Sequence, residues 1–214
     1  FHSSDYLVTY IGTNSFYFAN IRNVEFEYDS KLQVIEEKAF FNSSLEKISI
    51  PSTVTRISSL AFNFCQQLQS VIIPENSKLK SFEKLTFFAS GLKELTIPSN
   101  VVCISDGTFN GATKLINVKV SPNNIIYTNY ENRFVIGKTN KNDIIYENLI
   151  FAPRNVVDVN IPPFIKQISP FCFEMCRKLK KINFLNNSEL RIIKNDAFSN
   201  SSLVKFAIPK SVIQ

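Results

Sequence analysis

Residues able to carry out acid–base, nucleophilic or metal chemistry are few in this sequence, and they do not form a recognisable constellation. The 214-residue chain has one histidine, His2, four cysteines and no tryptophan. Its isolated aspartates fit caps, turns and a strand face: Asp106, Asp143, Asp158 and Asp196. No pair of carboxylates recurs at matching positions, so general acid–base catalysis has no candidates. We therefore expect no catalytic, cofactor-binding or metal-binding residue, no cofactor and no enzyme activity.

The cysteines are better explained by packing than by metal binding. Cys65 and Cys176 occupy equivalent small-residue positions, and Cys172 lies four residues before Cys176. This spacing would point both thiols to the same side of a short helix. A zinc site would need a second pair of ligands, and His2 is far away in the sequence. We interpret all four cysteines, including Cys103, as buried thiols that act as small hydrophobic residues.

A pattern of six apolar positions organises the chain. One copy, "VTRISSLAFNFCQQLQSVIIP", begins at Val54 and ends at Pro74. The copies begin at residues 8, 32, 54, 79, 101, 165, 190 and 212. Consecutive starts are 22 to 25 residues apart, except for the step of 64 residues from 101 to 165. A period of about 20–29 residues is typical of leucine-rich repeats.

Each copy predicts one coil of a solenoid. Its end, L-x-x-V-x-I before proline, alternates with a period of two and predicts a short parallel strand. The segment 58–65 has apolar residues on one side and predicts a turn or two of helix. Stacked coils would bury a continuous spine of phenylalanines. The predicted spine consists of Phe16, Phe40, Phe62, Phe87, Phe109, Phe173 and Phe198.

Residues 121–155 interrupt the period. The apolar runs 134–136 and 144–146 flank the turn-forming segment 137–143, which predicts a β-hairpin. The run 149–151 is a candidate third strand. We expect the hairpin to project from the solenoid without interrupting its sheet. The predicted fold class is therefore α/β: a single leucine-rich repeat solenoid over residues 1–214, with a parallel strand per repeat, short helices and a β-hairpin insertion.

The repeat resembles the BspA-like leucine-rich repeats, the Treponema-pallidum-type class. The family pattern IPxxVxxIxxxAFxxCxxLxxVxIP is matched by "IPSTVTRISSLAFNFCQQLQSVIIP", and the resemblance covers residues 8 to 212. Two departures are the cysteine column, filled only at Cys65 and Cys176, and the break at residues 121–155. The resemblance implies a cell-surface or secreted protein that attaches to host cells, matrix or other microbes. A hairpin insertion also recurs in this family.

Composition limits the possible partners. The formal net charge is +6, which allows acidic partners but does not indicate dedicated nucleic-acid binding. No apolar run is long enough to span a membrane, so no membrane insertion is expected within this segment. The chain begins at Phe1 without a signal-peptide pattern, and we interpret it as part of a longer protein. The sequons at Asn42, Asn186 and Asn200 favour secretion, whereas free thiols are less typical of proteins in an oxidising exterior.

Basic residues provide the candidate binding site. In each predicted strand, the third and fifth residues face solvent when the fourth and sixth face the core. Lys119, Lys181 and Lys205 occupy such outward positions, and more basic residues lie in "CRKLKKINF". The candidate ligand-binding residues are Lys119, Arg177, Lys178, Lys180, Lys181 and Lys205. Coils stacked about 4.8 Å apart would bring them within a few coils of one another.

A recognition or adhesion module is the function that these patterns favour. It would bind a host or microbial protein, or an acidic glycan, through the solenoid face. The oligomeric state is left open. The alternative is a structural surface spacer, or an immunogenic surface antigen, without a specific ligand. In that case the lysines would only keep an exposed sheet soluble.

Overall fold

The computed structural model describes residues 7–213. His2 lies outside this range. Each coil of the first half contributes two short strands, and both ladders are parallel. The first ladder contains β1 (Tyr10–Ile11), β3 (Val34–Ile35), β5 (Arg56–Ile57), β7 (Ser81–Phe82) and β9 (Cys103–Ile104). The second ladder contains β2 (Asn23–Val24), β4 (Lys47–Ser49), β6 (Ser70–Ile72), β8 (Glu94–Ile97) and β10 (Asn117–Val120).

The second ladder is the one that the period-two pattern predicts. Ile48 pairs in register with Val71, which pairs with Leu95, and all three side chains are buried. The first ladder comes from the V-x-x-I start of each copy, which is too short to identify as a strand by its pattern. A solenoid of parallel strands is therefore confirmed, with two strands in each of the first five coils.

The predicted short helices are wrong, because residues 7–213 contain no helix. The segment after each first-ladder strand is a run of tight turns instead. The Ala61 N–H donates to the Ser58 carbonyl at 3.3 Å, within the coil, but the Phe62 N–H donates to the Thr86 carbonyl of the next coil at 3.0 Å. Half of these amides therefore bond between coils and form a third ladder, whereas a helix would keep them inside one coil.

Two left-handed residues shape each run of turns. They lie two residues before and two residues after the spine phenylalanine. The pairs are Asn14 and Phe18, Lys38 and Asn42, Leu60 and Phe64, Leu85 and Ala89, Gly107 and Gly111, Phe171 and Met175, and Asp196 and Asn200. In the fifth coil, glycine fills both positions and adopts positive φ without steric cost. In several other coils, a backbone bond to the next coil holds a residue with a side chain in this conformation: the Lys38 N–H donates to the Ser59 carbonyl at 3.3 Å, and the Phe64 N–H donates to the Phe88 carbonyl at 2.8 Å.

The phenylalanine spine is stacked but not continuous. Phe40, Phe62 and Phe87 are fully buried, with ring centroids 5.3 and 5.6 Å apart. The stack runs from Phe16 to Phe109 and resumes only between Phe173 and Phe198, 5.1 Å apart. The two end rings, Phe16 and Phe198, are partly buried. The insertion separates the buried residues into two hydrophobic cores, so the prediction of one continuous spine is wrong there.

The insertion forms a three-stranded antiparallel meander. Its strands are β11 (Tyr127–Tyr130), β12 (Phe134–Gly137) and β13 (Asn148–Phe151). The predicted strand 134–136 and the candidate third strand 149–151 are confirmed. The predicted arm 144–146 is wrong: Ile144 is 91% exposed and lies in no strand. The third strand then pairs in parallel with β15 (Gln167–Ile168), which pairs in parallel with β17 (Ile192–Ile193). In the second half of the chain, this ladder corresponds to the first ladder.

The insertion is packed between the two halves rather than projecting from them. All four residues of β12 are buried, and Val135 joins the first core while Phe134 and Ile136 join the second. After the insertion, β14 (Asp158–Ile161) is the strand that corresponds to the second ladder. It pairs with β16 (Lys181–Phe184) and not with β10. The prediction of an uninterrupted sheet is therefore wrong, because an antiparallel strand with two buried faces occupies the junction.

Asn129 covers the edge of β10 at this junction. Its side-chain oxygen accepts the Val120 N–H at 2.8 Å, and its side-chain nitrogen donates to the Val118 carbonyl at 2.8 Å. These are the two backbone groups that a further parallel strand would otherwise satisfy. One side-chain amide thus ends the second ladder.

Arg154 and Glu174 connect the two halves inside the core. Arg154 Nη1 donates to the Cys172 carbonyl at 2.9 Å, and Nη2 donates to the Phe109 carbonyl at 3.4 Å. Glu174 Oε2 accepts the Gly111 N–H at 3.0 Å and lies 4.0 Å from Arg154 Nη2. Both side chains are buried, and desolvation raises the pKa of Glu174. The pair therefore carries hydrogen bonds from the fifth coil to the coil of β15.

The coil between the fifth coil and the coil of β15 is short, and this leaves room in the core for the Arg154 side chain. Leu149 pairs in register with Ile168, and Val159 pairs with Ile182. The first members of these pairs are 10 residues apart in the sequence, and the second members are 14 residues apart. The shortened coil lacks a full run of turns, and the Arg154 guanidinium lies there instead.

Candidate recognition surface

The outward side chains of the second ladder align in columns along the solenoid. In β4 and β8, outward residues are exposed and inward residues are buried, which confirms the predicted orientation. One column contains Asn23, Lys47, Ser70, Glu94 and Asn117, each in register with the next. A second column places Thr96 beside Lys119. Ile72, in the same face, is 55% exposed. This face is mixed in charge and polarity.

The structure groups some of the six predicted basic residues and separates others. Residues 177–180 lie in the turn that leads to β16, where Lys181 is an outward residue. Lys119 belongs to a different sheet, on the far side of the insertion. Lys205 follows β17 and lies in no strand. All six basic side chains are exposed, and Lys181 has Asp158 as its register partner. The basic turn (residues 177–181) is the part of the predicted site that lies together.

A groove at the opposite end of the face was missed by the sequence reasoning. It has a volume of about 1020 Å³ and opens beside β2 and β4. Residues 25–31, "EFEYDSK", form one side of it, and Tyr28 is fully exposed there. The acidic residues of this segment are Glu25, Glu27 and Asp29. In the sequence, the groove could have been indicated by three acids within five residues, at a place where the next three coils have an Ile-Pro pair. Lys31 and Lys47 also line the groove, so this end of the face carries both signs of charge, whereas the coil of β16 is basic.

The buried thiols are held in their protonated form. Burial raises the pKa of Cys65 to about 11, and its Sγ donates to the Phe40 carbonyl at 2.9 Å. Burial also raises the pKa of Cys172 and of Cys176. Cys103 is exposed on β9, so the interpretation of four buried cysteines is wrong for this residue. Between residues 7 and 213, no three His, Cys, Asp or Glu side chains lie together as a metal site.

No helix formed by residues 7–213 has the length and apolar character needed to cross a lipid bilayer.

Several solved structures share this fold. The pneumococcal vaccine antigen PcpA is 25% identical, with a TM-score of 0.86 over 95% of this chain and 49% of that chain. A leucine-rich repeat protein from Eubacterium ventriosum is 25% identical, with a TM-score of 0.69 over 86% of this chain and 53% of that one. A leucine rich cell surface protein from Faecalibacterium prausnitzii is 21% identical, with a TM-score of 0.68 over 96% and 65%. The chain thus spans about half to two thirds of these structures.

A family model covers almost all of the sequence. The BspA type leucine rich repeat region matches residues 9–134 and 138–214, in six copies. No curated protein sequence matches the chain. The matched range includes both ladders, the runs of turns and most of the insertion. This protein therefore belongs to the BspA-type leucine-rich repeat family.

Proposed function

We propose that this protein is a recognition or adhesion module that acts at a cell surface or after secretion. The observation that carries the proposal is the ordered outward face of the second ladder, in which side chains of consecutive coils are held in register. Rigid stacked coils can present such a face with little loss of conformational entropy on binding. Membership of the BspA-type family and structural similarity to a vaccine antigen support this location.

The partner that fits best is an acidic glycan or an acidic protein surface, bound at the basic turn. Residues 177, 178, 180 and 181 are basic and exposed within a single coil. Their summed field would attract anions and would be screened over roughly 8–10 Å at physiological salt. Lys119 lies across the insertion and would contribute at most a separate contact.

A surface spacer or antigen without a specific ligand is the second candidate. Asp158 lies beside Lys181 and Asn160 beside Asn183, so the positive charge does not continue along the sheet. The Asn183 side-chain amide donates to the Asn160 oxygen at 2.8 Å, so these two polar groups satisfy each other. A face of this kind can remain soluble and bind nothing. In neither candidate do we assign an enzyme activity or a nucleic-acid partner.

Binding to immobilised heparin and to host-matrix proteins, at low and high salt, tests the proposal. The variant K178A/K180A/K181A should bind several-fold more weakly at low salt and lose most of the salt dependence. The matched control K78A/K84A/K114A removes the same charge from exposed sites elsewhere. Equal weakening by both triple variants would indicate a net-charge effect. Equal binding by the basic-turn variant and the parent would remove this turn from consideration and favour the spacer.

A further inference from the structure

A row of aromatic side chains runs along the turn face of the first four coils, outside the core. We name Tyr17, Phe18, Phe41, Phe64 and Phe88 the aromatic row. Tyr17 stacks on Phe41 with centroids 5.0 Å apart, Phe41 meets Phe64 at 5.7 Å, and Phe64 meets Phe88 at 5.3 Å. Phe18 is 56% exposed, Tyr17 48% and Phe64 38%. Contiguous exposed apolar surface is a feature of interaction sites.

Asn42 lies within this row. It is the left-handed residue of the second coil, and Phe18 and Phe64 hold the same position in the coils on either side. The turn ladder fixes this alignment: the Phe18 N–H donates to the Phe41 carbonyl at 2.9 Å, and the Asn42 N–H donates to the Asn63 carbonyl at 2.8 Å. Neighbouring coils are therefore about one strand spacing apart, roughly 4.8 Å. The Asn42 side chain is partly exposed and makes no hydrogen bond to another described residue.

Asn42 is also the first residue of a sequon, Asn42-Ser43-Ser44. We propose that Asn42 carries an N-linked glycan whose first sugars lie against Phe18 and Phe64 and cover the aromatic row. The C–H faces of a pyranose ring pack well on aromatic side chains, so the chain's own modification would fill the apolar surface beside it. The proposal rests on the proposed surface location and, in addition, requires passage of the chain through a eukaryotic secretory pathway.

The modification is a glycosyl transfer from a lipid-diphosphate-linked oligosaccharide, catalysed by the cell's oligosaccharyltransferase. The Asn42 Nδ2 attacks C1 of the first sugar, and the bond between C1 and the diphosphate oxygen breaks. The diphosphate leaves with that electron pair, and one amide proton passes to a base of the transferase. Asn42 thereby gains a neutral, bulky and hydrated group.

The other two sequons lack this setting. Asn200 has Met175 as its neighbour in the left-handed column, and its side-chain nitrogen donates to Ser199 Oγ at 3.3 Å. Asn186 is exposed in the loop after β16. A glycan at either site would be exposed to solvent, away from the aromatic row, so only the Asn42 glycan should affect stability and apolar exposure.

Secretion of the 214-residue chain from eukaryotic cells, followed by mass spectrometry and glycosidase release in ¹⁸O water, tests the site. S44A removes the sequon and leaves Asn42 in place, whereas S44T retains the sequon. We expect the parent and S44T to carry a glycan on Asn42, which S44A lacks. We also expect S44A to melt at a lower temperature and to bind a hydrophobic dye several-fold more strongly than S44T.

Unglycosylated protein from bacteria provides the control for folding. There, S44A and the parent should have the same melting temperature and dye binding, since the Ser44 hydroxyl forms no hydrogen bond to a described residue. An unmodified Asn42 in the secreted parent would overturn the proposal, whether or not Asn186 or Asn200 is occupied. A glycan on Asn42 whose removal changes neither dye binding nor melting temperature would overturn the packing of sugar on the aromatic row. Ligand binding by the bacterial protein tests the proposed function separately.

Discussion

Single buried phenylalanines contribute strongly to the packing between consecutive coils and therefore to the free energy of unfolding. Phe62 is fully buried between Phe40 and Phe87, at centroid distances of 5.3 and 5.6 Å. We expect Phe62→Ala to lower the free energy of unfolding by about 3–5 kcal/mol, because it leaves a cavity in the stack. Phe64→Ala, two residues away but 38% exposed, is the matched control and should cost clearly less. Denaturant unfolding measures both, and equal losses would contradict the assignment of inward and outward residues.

Two glutamates near the insertion should give stability opposite dependences on pH. Desolvation raises the pKa of Glu174, whereas the hydrogen bond from Lys166 lowers the pKa of Glu147. The contribution of Glu174 is complete below the ordinary glutamate pKa and is lost as the pH rises through the raised value. The contribution of Glu147 is present above the ordinary pKa and is lost as the pH falls through the lowered value.

Melting curves of the parent, E174Q and E147Q between about pH 3 and pH 7 bracket the ordinary glutamate pKa. The stability difference between the parent and E174Q should become less favourable to the parent as the pH rises. The difference between the parent and E147Q should change in the other direction. Slopes of the same sign would show that one of the two environments is assigned wrongly.

At the scale of elements, the sequence predicts the strands of the second ladder well, but it predicts neither the strands of the first ladder nor the runs of turns. Period-two alternation before proline identifies the second ladder, because inward and outward residues differ in polarity. The left-handed positions are hidden, since Leu60 and Phe64 occupy them and neither residue type favours positive φ. Gly107 and Gly111 indicate them in the fifth coil, and Asn or Asp at residues 14, 42, 196 and 200 does so in three others. Leu60 and Phe64 are held there by hydrogen bonds to the next coil, which a single repeat does not reveal.

In the insertion, the hydrophobicity of a residue also fails to predict whether it is buried in a strand. Ile144 is apolar but 91% exposed, whereas Asn148 is polar but buried. The Asn148 side-chain nitrogen donates to Thr139 Oγ1, nine residues earlier in the sequence, at 3.1 Å. This contact across the insertion satisfies one of the polar groups of the Asn148 side chain. Strand 148–151 therefore replaces the apolar run 144–146 as the partner of β12.

The buried pair at the junction should be energetically coupled. Removing one partner of a buried ion pair leaves the other uncompensated, so R154A and E174A should each cost about 3–5 kcal/mol of stability. The double variant should cost less than the sum of the two single losses. Arg133 and Glu131 are an exposed pair at 3.0 Å, and R133A should cost no more than about 1 kcal/mol. Additive effects of R154A and E174A would contradict the pairing.

At the scale of the whole molecule, the relative positions of the six candidate residues could be predicted only in part. Residues 177–181 lie together because they are close in sequence, and alternation alone identifies Lys181 as outward. The separation of Lys119 from Lys181 could not be predicted, since it depends on the strand that the insertion places between their sheets. The groove beside β2 and β4 depends on the fold of residues 25–31 against the next coil.

The division into two cores predicts two cooperative units of unfolding. One core contains Phe40 and Phe62, and the other contains Phe173 and Leu179. Native-state hydrogen exchange should group the amides of β4 to β8 in one unit and those of β15 and β16 in another. R154A should increase the difference between the exchange free energies of the two units. One common exchange free energy for all these amides, in the parent and the variant, would contradict the division.

The junction also has a mechanical consequence. Hydrogen bonds between coils run along the solenoid axis, so a pull on the two ends loads every interface between coils in series. All interfaces then carry the same force, and the weakest one ruptures first. At the insertion, the side chains of Asn129, Arg154 and Glu174 replace much of the bonding that backbone ladders provide elsewhere. Under tension, the molecule should therefore extend first at this one interface while the stacks on both sides remain folded.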